Sequence, residues 1–377
     1  MAETFSLSEL VIPGTYIDVR AEGLIGVGGL STGNIGIVGT ARKLDENDDP
    51  VPITGETFIL SDYATAQESF GRYDAHSGGT GALNLTRAAE LLYRNGARTV
   101  FARALNPDSA AQGDFTAAFN ELVKDNVNIL VAPQLSTADA LDVLTPILES
   151  AENNSRDLIA VVGSDAAAVD DITDQVLAND RLILSAPAII TTETVVENER
   201  TVSRDVTLSG TYTAAAVAGL LSTLTPEDSP TNKVLAGVKD LAQRFSYGQE
   251  KELISGGVLV LERRQGVRVV RGITTEMADN GPFKQITTRR ITDFAKAGIR
   301  QASNPFIGRL NNQRVRAALQ AAIEGFLTTM VADEALIGYS VQVTATRQDE
   351  IAGRAIVNAV IQPTFSIDFV AVTMVLQ

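Results

Sequence analysis

The chain has 377 residues, a formal net charge of -15, no cysteine, no tryptophan and one histidine. Those counts exclude disulfides, thiolate metal sites and cysteine nucleophiles, and leave imidazole chemistry to His76 alone. The acidic balance disfavours nonspecific binding to nucleic acid or to anionic membranes, and no apolar run approaches the ~18 residues of a membrane helix.

The first residues, MAETFSLSEL, lack a basic stretch leading into an apolar core, so the expectation is a protein assembled in the cytoplasm. After Pro13 and Gly14, Ile17 and Val19 alternate with Tyr16, Asp18 and Arg20, the pattern of a short half-buried strand. A glycine-rich passage follows over residues 23–41. Its G-x-G does not open a dinucleotide site, because a strand-like run, NIGIVGTA, follows the glycines where a helix is required. His76 sits in GRYDAHSGGTG, whose composition predicts a loop.

Between about residues 80 and 188 helices and strands alternate. Helix 83–95 and strand 99–104, helix 115–124 and strand 129–132, helix 138–151 and strand 158–162, and helix 168–178 and strand 182–185 predict an α/β layer with a largely parallel sheet. The strand ends carry no phosphate loop, nucleophile elbow or H-E-x-x-H. Asp170, Asp171 and Asp174 fall in a helix without calcium-loop spacing, as acidic residues favoured near a helix N-terminus. The enzyme alternative that this layer leaves open is a nucleotide- or sugar-binding protein with its site near Pro133 or Gly163. A charged hairpin (193–208), a small-residue helix (213–224), a strand pair (257–263 and 267–273), a basic helix (288–301), a long amphipathic helix (312–332) and strands 339–346 and 354–361 complete the reading.

The last thirteen residues, FSIDFVAVTMVLQ, are predicted to form a strand. Phe365, Ile367 and Phe369 alternate with Ser366 and Asp368; from Val370 both faces become apolar, through Val372, Met374 and Leu376. Left at a free edge such a strand would aggregate, so it needs a partner, either in its own sheet or in another subunit. A second anomaly is charge. Twelve basic residues lie between Arg263 and Arg316 against three acidic ones, which reads either as a face balanced by the protein's own carboxylates or as a dock for an acidic partner.

Several segments resemble the tail sheath proteins of contractile phage tails and related contractile injection particles. TRQDEIAGRAIVNAVIQPTFSIDFV follows the family's D-I-x-x-G-R-x-I-V pattern with Glu350 inserted, and TTRRITDFAKAGIR and RVRAALQAAIEGFLTTMVADEALIGYSV are similar to its basic helix and following long helix. SPTNKVLAGVKDL, PGTYIDVRAEG and STGNIGIVGTA match further upstream. The resemblance implies an N-terminal arm (1–22), an outer α/β domain (23–265), an inner α+β sheath domain (266–364) that packs with the N-terminal segment, and a C-terminal arm strand (365–377). It implies a helical homopolymer around an inner tail tube protein, ending at baseplate and tail terminator proteins, in a tail or released particle. No enzyme activity, cofactor, nucleic acid or membrane insertion is expected, and a non-contractile tube subunit is a further alternative. The arms would join subunits through Tyr16, Ile17, Val19, Phe365, Ile367, Phe369, Val370, Val372, Met374 and Leu376. Arg289, Arg290, Lys296 and Arg300 would face the tube.

Overall fold

A computed structural model describes residues 30–45, 50–51, 55–71, 84–197, 200–278 and 281–375. Tyr16, Ile17 and Val19 of the expected N-terminal arm, His76 and Leu376 lie outside them. The chain divides into two units, one of Ser31–Asp293 with Phe365–Gln377 and one of Met1–Leu30 with Phe294–Thr364.

The larger unit starts with β1 (Ile35–Thr40), the short antiparallel pair β2 (Lys43–Leu44) and β3 (Pro50–Val51), β4 (Phe58–Leu60), α1 (Tyr63–Phe70) and α2 (Leu85–Arg94). It continues through β5 (Val100–Leu105), α3 (Gln112–Leu122), β6 (Ile129–Val131), α4 (Thr137–Asn153), β7 (Ile159–Gly163), α5 (Val169–Asp174) and β8 (Leu182–Ala186). Next come the hairpin β9 (Ile189–Glu197) and β10 (Arg200–Leu208), α6 (Gly210–Thr223), β11 (Val238–Leu241), α7 (Tyr247–Ser255), β12 (Val258–Arg263) and β13 (Val267–Val269). α8 (Ile286–Ser303) crosses from this unit into the other.

Eight strands form one sheet in the order β13-β12-β8-β7-β6-β1-β5-β4. The six inner ones are parallel, and β13 and β4 close the edges antiparallel. Buried runs such as ILV in β6 and LILSA in β8 are what a strand covered on both faces requires. Ile35, Ile37, Val131 and Val161 point to a layer containing α2 and α6, while Val38, Leu130, Ala160 and Val162 point to α3 and α4. Hydroxyl or amide side chains cap the helix starts: Asn84 for α2, Ser136 for α4 and Ser209 for α6. β1 pairs with β5 on one side and β6 on the other, so the sheet changes winding direction there. β10, β9 and β11 make a separate antiparallel sheet.

The smaller unit contains the second half of α8, α9 (Gln313–Ala332), β14 (Leu336–Thr344), α10 (Arg347–Ile351) and β15 (Ile356–Pro363). The α9 stripe of Leu319, Ile323, Phe326, Leu327 and Met330 is buried. β14 and β15 pair antiparallel, with Tyr339 opposite Ile361, and Tyr339 Oη donates to the Glu324 carbonyl of α9 at 3.1 Å.

Two expectations change. A division after residue 265 would cut the β12–β13 hairpin, in which Arg263 pairs with Val267; the division instead falls inside α8, after Asp293. Among the described residues, 364–375 form no strand and pair with no sheet, which leaves the second expectation, a partner in another subunit.

Candidate assembly surfaces

The C-terminal segment is fastened by its polar face. Arg271, just after β13, donates from Nε to Asp368 Oδ2 at 2.8 Å, and the Asp368 side chain is only 5% exposed. Gln285, which precedes α8, accepts from Ser366 N at 3.1 Å and donates from Nε2 to the Ser366 carbonyl and to Asp368 Oδ2, each at 3.3 Å. Ser366 Oγ donates to Asp368 Oδ1 at 3.2 Å, and the Arg271 guanidinium lies 5.1 Å from the centre of the Phe369 ring. The apolar residues of the same segment point outward: Phe365 is 57% exposed and Ile367 82%. Beyond it Phe369, Val370, Val372, Met374 and Val375 are all exposed. The alternation in the sequence is therefore real, with its polarity opposite to that of a strand packed on its own core. Single exposed apolar residues are ordinary, but seven within eleven positions form a surface that isolated soluble chains avoid.

The basic segment resolves into two kinds of residue. Arg289 and Arg290 are buried, which corrects the expectation that they face a partner. Arg289 donates to Asp180 at 2.8 Å and to Asp293 at 2.6 Å, and stacks 4.2 Å from the Phe283 ring centre. Asp293 also receives Arg181 Nη1 at 3.0 Å, and Arg181 in turn binds Glu152 at 2.7 Å and Asp157 at 3.0 Å. Burial alone would lower the Arg181 pKa, but Glu152 and Asp293 raise it, so this guanidinium stays charged.

Among the described residues Arg290 hydrogen-bonds to backbone carbonyls rather than to a carboxylate. It donates to the carbonyls of Leu224 at 2.8 Å and Thr225 at 3.1 Å, satisfying oxygens left over where α6 ends, and to the Thr32 carbonyl at 3.3 Å. Burial pulls its pKa down to about 10, which still leaves a cation at neutral pH. A buried guanidinium needs such a full set of acceptors, and the sequence gives no sign of where they are. Arg263 and Arg316 likewise pair within the chain, with Asp240 and Glu350. Lys296 and Arg300, on the second half of α8, are half-buried.

A crevice of about 540 Å³ lies at the C-terminal end of the parallel strands, beside β1, where an α/β protein would bind a nucleotide. It is lined by Thr40, Pro133, Gln134, Asp139, Ser209 and Tyr212 among others. Gln134 clamps Thr40, accepting from its N–H and donating to Oγ1 at 2.9 Å. The N–H groups at the start of α4 are taken by Ser136 and Asp165, and the Asp139 carboxylate would repel a phosphate. Near Gly163 there is no room: Gly163 and Gly210 come so close that a Cβ on either would strike a backbone carbonyl across the gap. Among the described residues no group of three or more His, Cys, Asp or Glu side chains could hold a metal ion, and no helix is long and apolar enough to cross a membrane.

These features define a class of protein: an α/β unit and a helix-and-hairpin unit on one chain, with an apolar C-terminal segment anchored at its base and unpaired beyond it. Known proteins of this class match at three levels. The family model described as the phage tail sheath protein central domain matches residues 108–275, and that of the phage tail sheath C-terminal domain matches residues 278–377. The tail sheath protein of Mycobacterium phage Bxz1 is 30% identical over 199 residues, covering 51% of this chain and 34% of that protein, so the chain spans about a third of that relative's length. Among solved structures, a chain of the anti-feeding prophage baseplate (6-fold symmetrised) superposes with a TM-score of 0.72 at 18% identity, covering 97% of this chain and 99% of that one. The anti-feeding prophage helical sheath in its contracted state superposes with a TM-score of 0.70 at 19% identity, with the same coverage. The chain belongs to the phage tail sheath family.

Proposed function

We propose that the chain is the structural subunit of a contractile tail sheath, polymerising helically around an inner tube and shortening to drive that tube through a target envelope. The observation that carries this reading is the exposed apolar run from Phe365 to Val375, which no described element of its own chain covers. A second copy supplies the natural cover: a strand added to a neighbour's sheet buries the side chains and satisfies the backbone together. Repeated head-to-tail contacts of this kind give a filament when they do not close. A fold shared with a helical sheath in a contracted state supports two lattice states rather than one.

Within this reading the partners are further copies, the inner tube, and the baseplate and terminator proteins at the two ends. Its role is mechanical rather than catalytic, and it is assembled in a bacterial cytoplasm into a phage tail or released particle. With Arg289 and Arg290 committed to the interior, Lys296 and Arg300 are the tube-facing candidates on α8. Deleting residues 365–377 is expected to give monomers in place of striated cylinders by electron microscopy. Regular tubes from the truncated chain would refute the tether.

A further inference from the structure

We infer that the C-terminal segment has two parts with different duties: residues 365–369 stay fastened to their own subunit through Arg271 and Gln285, and only residues from Val370 onward are donated to a second copy. The inference rests on the proposed function, since it assigns the point at which the tether leaves its subunit.

The two parts differ in every relevant respect. In the first, the Ser366 amide and carbonyl are both occupied by Gln285, so this backbone is not a free ladder edge on that side. The Asp368 carboxylate accepts from Arg271, Gln285 and Ser366 and is almost wholly enclosed. A strand donated from Phe365 would carry that carboxylate into the acceptor's sheet and leave Arg271 without its anion, two charges separated for the gain of three apolar side chains. From Val370 the chemistry reverses. Val370, Ala371, Val372, Thr373, Met374 and Val375 carry no charge, and every one of them is exposed. Here both faces of a strand can be buried without stranding a charge. The Arg271 guanidinium over Phe369 marks the last side chain held, which places the departure between Phe369 and Val370.

The test is hydrogen exchange read by mass spectrometry on the unsubstituted chain, as monomer and as assembled tubes, with the variant Arg271→Ala as monomer. In the monomer, the Ser366 amide, which donates to Gln285, should exchange more slowly than those of 370–375, and R271A, by loosening the Asp368 anchor, should speed exchange at Ser366 about tenfold without altering 370–375. On assembly, protection should rise by about tenfold or more at 370–375 and stay nearly constant at Ser366. Joint protection of 366–375 appearing only on assembly would overturn the inference. So would R271A exchanging like the unsubstituted chain. A covalent check uses the absence of native cysteine: a Q285C/S366C pair joined by a short bismaleimide should still polymerise. Assembly lost on cross-linking, while the same variant assembles without the cross-linker, would show that this segment must undock. Failure of the tether itself would appear separately, as tubes formed after truncation, with the monomer exchange pattern unaffected.

Discussion

Arg290 offers a sharp test of how the basic helix is used, because the sequence and the structure demand opposite outcomes. As a surface residue it would tolerate Arg290→Ala with a loss of about 0–1 kcal/mol, the worth of an exposed charge contact. In the structure it is 6% exposed and donates to three carbonyls, two of them at 2.8 and 3.1 Å. A hydrogen bond from a charged donor contributes about 1.5–3 kcal/mol, so the two short bonds amount to about 3–6 kcal/mol. The desolvation that pulls the pKa to about 10 works against them. Removing the side chain also removes that burden while leaving the carbonyls at the end of α6 short of donors. The balance is an expected loss of about 3 kcal/mol for R290A. Arg290→Glu should be worse and fail to fold, since a buried carboxylate would face three carbonyl oxygens. The chain has no tryptophan, so the assay is urea unfolding of the dilute protein followed by far-ultraviolet circular dichroism, with Arg300→Ala as the half-buried comparison. Equal, small losses for R290A and R300A would refute the interior role of Arg290, as would a folded R290E.

Two further outcomes follow from the helices. Gly298 on α8 faces the Phe326 ring of α9 so closely that an added Cβ would overlap it, and Gly298→Ala is expected to cost about 1–3 kcal/mol by overpacking; an unchanged urea midpoint would show that the two helices can part at no cost. Reversing Lys296 and Arg300 together to Glu should leave self-polymerisation intact and weaken assembly on the inner tube, most visibly at low salt, as measured by co-sedimentation with purified tubes; tube binding indifferent to the change would remove both residues from that surface.

The parallel sheet was legible because a strand buried on both faces has to be written in continuous β-branched and aliphatic residues, and IVG, ILV, IAVV and LILS are such runs. β4 and α7 escaped because their patterns are short or weakly apolar: β4 has three residues, and Leu253 is the buried residue of α7. The division between the units was hidden for a different reason. It falls after Asp293, inside a helix that has no proline and no glycine within four residues of that point, so no loop marks it. Arg289 and Arg290 misled because charge in a sequence reads as exposure. What makes them interior residues is a set of acceptors from distant segments: Asp180, Leu224, Thr225 and Thr32.

The C-terminal segment shows how far periodicity alone can carry such a reading. An alternation of two specifies that residues 365–369 have two unlike faces; it does not specify which face meets the protein. That choice belongs to the surroundings. Arg271 and Gln285 lie 97 and 81 residues away in sequence from the groups they hold, and they select the polar face. The consequence is mechanical. A tether held by its apolar face would have to give up that burial before a neighbour could use it, so anchoring and donation would compete. Held by Ser366 and Asp368, the same segment can keep its subunit and present apolar residues to another at the same time. Anchoring and assembly then draw on different side chains, and strengthening one need not weaken the other.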